Sequence, residues 1–183
     1  MACQSPGSGI IIVMATSTLV PVEEYLSTLY RPDRDFVDGV IEERNLGEKD
    51  HGRLQALLIG FLLALEKRLG IWVVSEQRMR VKANRYRVPD ICVVVGPEPQ
   101  EQIFTKPPFL CIEILSPEDR VMAVLDRIDD YLEFGVRYVW VVNPQSRKAW
   151  IYTPEGAREV KDGVLRTADP EICVPLSELF IER

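Results

Sequence analysis

Seven consecutive residues, Phe109-Leu110-Cys111-Ile112-Glu113-Ile114-Leu115, turn apolar side chains to both sides of an extended chain, with one carboxylate among them. Such a strand is stable where layers cover both of its faces, so the run predicts a central strand in a covered sheet. An ionised Glu113 there costs on the order of several kcal/mol unless a cation or hydrogen bonds compensate it. Upstream, Val88-Pro89-Asp90 leads into a second apolar run, Ile91 to Val95, and sets another acid at a strand edge.

The rest of the chain arranges itself around these two strands. Val20 to Tyr30 carries a short helical pattern, broken by Arg31-Pro32-Asp33. Asp35 to Arg44 reads as a hairpin turning at Asp38-Gly39, and a polar loop from Asn45 to Asp50 follows. From about His51 to Leu69, Leu54, Leu57, Leu58, Phe61, Leu62 and Leu65 recur at helical spacing, with Asp50 as the expected cap and Gly70 as the stop. Ile71 to Glu76 reads as a strand, and Arg78 to Lys82 and Arg85 to Val88 as two more. Asp90 to Val95 then continues the same sheet, and a proline-rich loop, Gly96 to Pro108, delivers the chain to Glu113.

Ser116-Pro117-Glu118-Asp119 has the composition of a helix start, and that helix is expected to end at Gly135. Tyr138 to Val142 predicts another buried strand. Ala149 to Tyr152 and Ala157 to Lys161 predict an antiparallel hairpin, and Leu176 to Phe180 a final helical turn. The order helix, three strands, helix, strand is a mixed α/β (α+β) arrangement, a central mixed sheet flanked by two helices with an N-terminal hairpin and a C-terminal hairpin extension.

Length and charge narrow the class. With 183 residues, 46% of them hydrophobic, the chain is expected to build a single domain over 18–183. Residues 1–17 are expected to be a disordered tail or a mis-called start, with Met14 as the other start. The run Ile10-Ile11-Ile12-Val13 is too short to span a membrane, and scattered cysteines point to a reducing, cytoplasmic setting. A net charge of -6 argues against coating nucleic acid by bulk electrostatics, though not against a local basic groove.

Asp90 and Glu113 on neighbouring strands are a candidate seat for a divalent metal, since two carboxylates plus water suit Mg²⁺. The competing reading has Asp90 closing a turn and Glu113 paired with a basic side chain. Arg78, Arg80 and Lys82 alternate along one strand face, and Arg85 and Arg87 follow on the return strand with no acid between. That stretch reads either as a surface for a nucleic-acid backbone or as a solvated hairpin face paired with acids. His51, the single histidine, is a structural or site residue, and Glu42 and Glu43 end the early hairpin.

Pro89-Asp90 followed by Glu113 resembles the PD-(D/E)XK restriction-endonuclease-like superfamily, with its αβββαβ core. More specifically, Glu113-Ile-Leu-Ser-Pro117, Arg120, Tyr131-Leu132, Gly135-Val136 and Tyr138-Val-Trp-Val-Val-Asn-Pro144 resemble the Uma-two type of bacterial restriction endonuclease, as do Asp38-Gly39 and His51-Gly52. The resemblance spans about Val20 to Phe180. It implies that Asp90, Glu113 and the Ile114 carbonyl bind Mg²⁺ or Mn²⁺, and that the helix of His51 packs beside the site. It also implies a hydrolase cutting phosphodiester bonds in DNA, by analogy as a homodimer.

Three positions depart from the pattern. The superfamily's lysine two residues after the glutamate is replaced by Leu115. The lysine usual in this branch, four residues before Tyr131, is replaced by Arg127, and Val40 stands where many relatives carry Glu. Arg127 then becomes the residue expected to orient water or stabilise the phosphate, with Lys82 as a substitute and His51, Glu43 and Tyr131 lining the site. An arginine is a poor base at any ordinary pH. The alternatives are a catalytically degenerate nuclease fold that binds nucleic acid or protein, and a metal-dependent hydrolase of another substrate.

Overall fold

The run around Glu113 forms the strand Leu110–Ile114, buried at all five positions and paired on both edges. The computed structural model describes residues 19–44 and 48–180, so the expected N-terminal tail lies outside the described residues. In chain order the elements are α1 (Val22–Ser27), β1 (Asp35–Val37), β2 (Val40–Glu42), α2 (Lys49–Leu63), α3 (Glu66–Leu69) and β3 (Ile71–Ser75). Then come β4 (Met79–Lys82), β5 (Arg85–Arg87), β6 (Ile91–Val95), β7 (Leu110–Ile114), α4 (Val121–Phe134) and β8 (Tyr138–Asn143). The chain closes with β9 (Lys148–Thr153), β10 (Gly156–Glu159), β11 (Val164–Arg166), β12 (Cys173–Pro175) and α5 (Leu176–Leu179).

The central sheet has the order β10-β9-β8-β7-β6-β3. Only β7 and β8 run parallel, joined by α4 as the crossover, and the other neighbours are antiparallel. Alternation along the strands sends two apolar sets to opposite faces. Leu54, Leu58 and Leu62 of α2 pack with Ile91, Val93, Leu110, Ile112 and Trp140 on one face. Val124, Ile128 and Tyr131 of α4 pack with Cys92, Cys111, Val139 and Val141 on the other. The series α2, β3, β6, β7, α4, β8 is the expected αβββαβ core in a mixed α/β fold. Among the described residues no helix is long and apolar enough to cross a membrane.

Several local expectations change. β4 and β5 do not extend the central sheet. They join the early hairpin in a separate sheet of order β2-β1-β5-β4. Pairing Phe36 with Tyr86 across β1 and β5 lets both rings pack with Tyr25 of α1, at centroid distances of 5.0 and 5.5 Å from it. The hairpin turn is where it was expected, with Asp38 and Gly39 at φ 49° and 91°, as a tight two-residue turn requires.

The long helix divides at Ala64-Leu65 into α2 and α3. Glu66 of the last turn accepts a 2.7 Å hydrogen bond from the Val73 N–H, occupying a donor on the edge strand β3. Its start is preceded by Glu48 without a side-chain cap, and Asp50 lies inside the first turn. Helix α4 begins at Val121 rather than Ser116. The Asp119 carboxylate folds back to accept the Ser116 N–H at 2.7 Å, which closes a turn in place of a first helical turn. The small hairpin β11–β12, unexpected from the sequence, adds Leu165 and Val174 to the α2-side core.

Candidate functional site

The register of β6 and β7 brings the two acids together. Ile91 faces Ile112, so the next pair toward the strand ends is Asp90 and Glu113. Both are nearly sealed, at 2% and 3% exposure. Pro89 lacks an N–H and so sits comfortably just ahead of the strand, aiming Asp90 out of its end.

Asp90 collects donors from three directions. Its Oδ2 accepts the Ile114 N–H at 2.7 Å and lies 3.3 Å from Nε2 of His51, which sits in the first turn of α2. Its Oδ1 accepts a hydrogen bond from Nη2 of Arg44, a residue in the connection between β2 and α2. Gln55, one turn on from His51, donates to the Asp90 carbonyl at 3.1 Å. Glu113 is held from α4: the Tyr131 hydroxyl donates to Oε1 at 2.6 Å, and Nε of Arg127 lies 3.3 Å from Oε2. That Arg127 Nε is buried yet hydrogen-bonded to nothing among the described residues. Nη2 of Arg127 donates to Asp119 at 3.3 Å, in the turn that displaced the helix start.

These groups line one cleft of about 140 Å³, with Arg44, His51, Gln55, Asp90, Glu113 and Arg127 in its walls. The electrostatics separate the two acids. Burial works to raise the Asp90 carboxyl, but the bond to His51 and the charge of Arg44 hold it below its ordinary value. Burial pushes Glu113 up to about 7, against the pull of Arg127 and with a further push from Asp90. The bond to Asp90 raises the His51 imidazole, against desolvation.

Of the residues expected at the site, Asp90, Glu113, Ile114, Arg127 and His51 line the cleft together, and Tyr131 supports it from beneath Glu113. Glu43 stands at the rim, largely exposed and paired with Arg34 at 3.0 Å. Lys82 is elsewhere. Its Nζ lies 2.9 Å from Asp130 and 2.8 Å from Glu133 on the far side of α4, so it does not substitute for Arg127.

The basic run is likewise not an open cationic face. Arg78 pairs with Asp33 and lies 4.6 Å over the Tyr25 ring, and Arg85 pairs with Asp38 and Asp130. Arg87, at 3% exposure, binds Asp35, Glu42 and Asp130. Arg80 is exposed, as Lys82 is, and no ion pair is found for it among the described residues. Acids brought from β1, its flanking turns and α4 neutralise a stretch that is purely basic along the chain.

Arg44, Gln55 and Asp119 are the site residues that sequence reasoning missed. Arg44 had one faint signal, a lone cation directly after Glu42 and Glu43, but nothing along the chain connects it with Asp90. Among the described residues no group of three or more His, Cys, Asp or Glu side chains is arranged to hold a metal. The carboxylate pair still suits a hard cation. Each acid has one oxygen fixed by a neutral donor, the Ile114 N–H or the Tyr131 hydroxyl, and a second facing a guanidinium.

Comparison with known proteins adds to this geometry. The family model Uma2, described as "Putative restriction endonuclease", matches residues 22–178. Among solved structures the chain is similar to that of a "putative nuclease belonging to DUF820 from Anabaena variabilis ATCC 29413". The TM-score is 0.75 at 20% identity, covering 88% of this chain and 97% of that one, which is a likeness of fold. No curated protein matches the chain.

Proposed function

The chain belongs to the Uma2 family of restriction-endonuclease-type proteins, and on that premise we propose that it is a Mg²⁺- or Mn²⁺-dependent endonuclease hydrolysing phosphodiester bonds in DNA. The observation that carries this reading is the convergence of Asp90 and Glu113, from adjacent strands, on one cleft that also holds Arg44, Arg127 and His51. Asp90 and Glu113, with the Ile114 carbonyl, would hold the ion. When bound, the ion would supply charge stabilisation at a phosphoryl oxygen and a lowered pKa for water.

The chain's own residues do the rest. The Ile114 N–H and His51 orient the Asp90 carboxylate, and Tyr131 orients that of Glu113. Arg127 has a buried Nε with no hydrogen-bond partner among the described residues and is the donor best placed to meet developing negative charge on the phosphoryl group. It acts as a fixed cation and not as a proton acceptor, because a guanidinium stays protonated. Cleavage of both strands of a duplex would call for two such sites, and a homodimer supplies them.

A second reading, a nuclease fold that binds nucleic acid without cutting it, draws on a specific observation. Protein groups already face all four carboxylate oxygens, and Leu115 packs into the α4-side core where the superfamily carries its lysine. Incubation of plasmid and linear DNA with the protein and Mg²⁺ or Mn²⁺ separates the two. Metal-dependent cutting that Asp90→Asn and Glu113→Gln abolish is the expected result. A folded protein that cuts none of the DNA offered, with either metal, overturns the enzymatic reading.

A further inference from the structure

We infer that Arg44 holds the place of the metal ion on Asp90, so that metal binding proceeds by exchange with its guanidinium at one carboxylate oxygen. This rests on the reading of Asp90 and Glu113 as the metal's carboxylates. The two oxygens of Asp90 are held differently. Oδ2 receives the Ile114 N–H, a donor locked into β7, together with His51. Oδ1 is bonded to Arg44, whose backbone lies in the connection after β2 and belongs to no strand or helix. An incoming cation can replace Arg44 without breaking the sheet, which is not true of the Ile114 contact.

Arg44 also stands in the field of both acids. Burial works against its charge, and Asp90 first, then Glu113, more than restore it. A cation shared by two buried carboxylates is doing electrostatically what a divalent ion does there. Arg127 is placed differently: it belongs to α4, its Nη2 is committed to Asp119, and its Nε makes no hydrogen bond to Glu113.

Charge balance gives the arrangement a consequence. Glu43, Glu76 and Asp119 line the cleft beside Asp90 and Glu113, so Arg44 and Arg127 leave it net negative and opposed to a phosphodiester. A divalent ion on the acids reduces that negative charge and releases the Arg44 guanidinium to face an incoming anion. Arg44 thereby links arrival of the ion to admission of an anionic substrate.

The test is Mn²⁺ binding by calorimetry to the wild-type chain, Arg44→Gln and Arg44→Lys, with folding checked by circular dichroism. Arg44→Gln should bind Mn²⁺ about tenfold more tightly than wild type, as loss of one competing ion pair of about 1.4 kcal/mol implies, with Arg44→Lys between the two. Equal or weaker binding by Arg44→Gln overturns the inference and leaves the metal reading standing. Absence of binding to all three proteins overturns both. A second measurement needs no variant: ¹⁵N spectra of the arginine side chains in the wild-type protein, titrated with Mg²⁺. The Arg44 resonances should move with the binding isotherm, and binding that leaves them unmoved overturns the exchange.

Discussion

The Tyr131 hydroxyl lies 2.6 Å from Oε1 of Glu113 and joins helix α4 to strand β7 at a carboxylate that is 3% exposed. This bond links the packing of the α4-side core to the orientation of the site, since Tyr131 is also fully buried among Val124, Ile128 and Val139.

Removing that hydroxyl leaves a buried acceptor short of its donor. Tyr131→Phe should lower unfolding stability in urea by about 1–3 kcal/mol, the cost of a buried unsatisfied polar group. A change near zero would mean that water or Arg127 takes over the vacated oxygen.

Glu113 should also make the metal-free protein sensitive to pH. Its carboxyl rises from an ordinary 4.5 to about 7 in the folded state, chiefly through burial. Between those values the folded chain binds more protons at this site than the unfolded chain does. Stability therefore falls as pH rises through that window, by on the order of 3 kcal/mol from this group. Urea unfolding of wild type and Glu113→Gln at pH 5 and pH 8 reads the effect as a difference. The wild type should lose ground to the variant at the higher pH, and parallel curves would refute the assignment.

Arg87 is the hub of a buried ion cluster. It donates to Asp130 at 2.8 Å and to Asp35 at 2.9 Å, and Asp35 also accepts the Val88 N–H at 3.0 Å, two residues before Asp90. Arg87→Ala should cost about 3–5 kcal/mol, because it leaves the buried Asp35 carboxylate without its cation, while Asp130 keeps Lys82 and Arg85. Arg80→Ala, on the same small sheet but exposed, should stay within about 0.5 kcal/mol of wild type. Comparable losses for the two would contradict the pairing.

Arg127 and Lys82 should differ in function. On the proposed reading Arg127→Ala lowers kcat for metal-dependent DNA cleavage on the order of 100-fold, as removal of a preorganised charge stabiliser does. Lys82→Ala should leave kcat within about twofold, since Lys82 lies outside the cleft and its partly exposed ion pairs contribute little. A large loss of kcat in the Lys82 variant would place the chemistry elsewhere.

Much of the fold was legible because periodicity reports faces directly. An apolar run without alternation, once read as a strand, belongs in the covered middle of a sheet, and β7 lies there. Asp38-Gly39 turns because few other dipeptides accept positive φ at both positions, and Gly135 ends α4 at φ 109° for a related reason. Asp90 and Glu113 stood out because an acid inside or beside such strands needs a compensating partner. The helix start at Ser116 was misread because composition alone cannot say whether Asp119 will favour the helix dipole or fold back onto the Ser116 N–H.

What the chain determines by itself is which apolar segments are buried and which acids within or beside them that burial makes costly. Only the tertiary structure decides their partners. Asp130, Asp35 and Asp38 neutralise arginines 43 to 52 residues away, and Arg44 reaches an aspartate 46 residues on. Charge pairing depends on distance in space, which no local pattern encodes, whereas burial follows from the spacing of side chains along a single strand or helix.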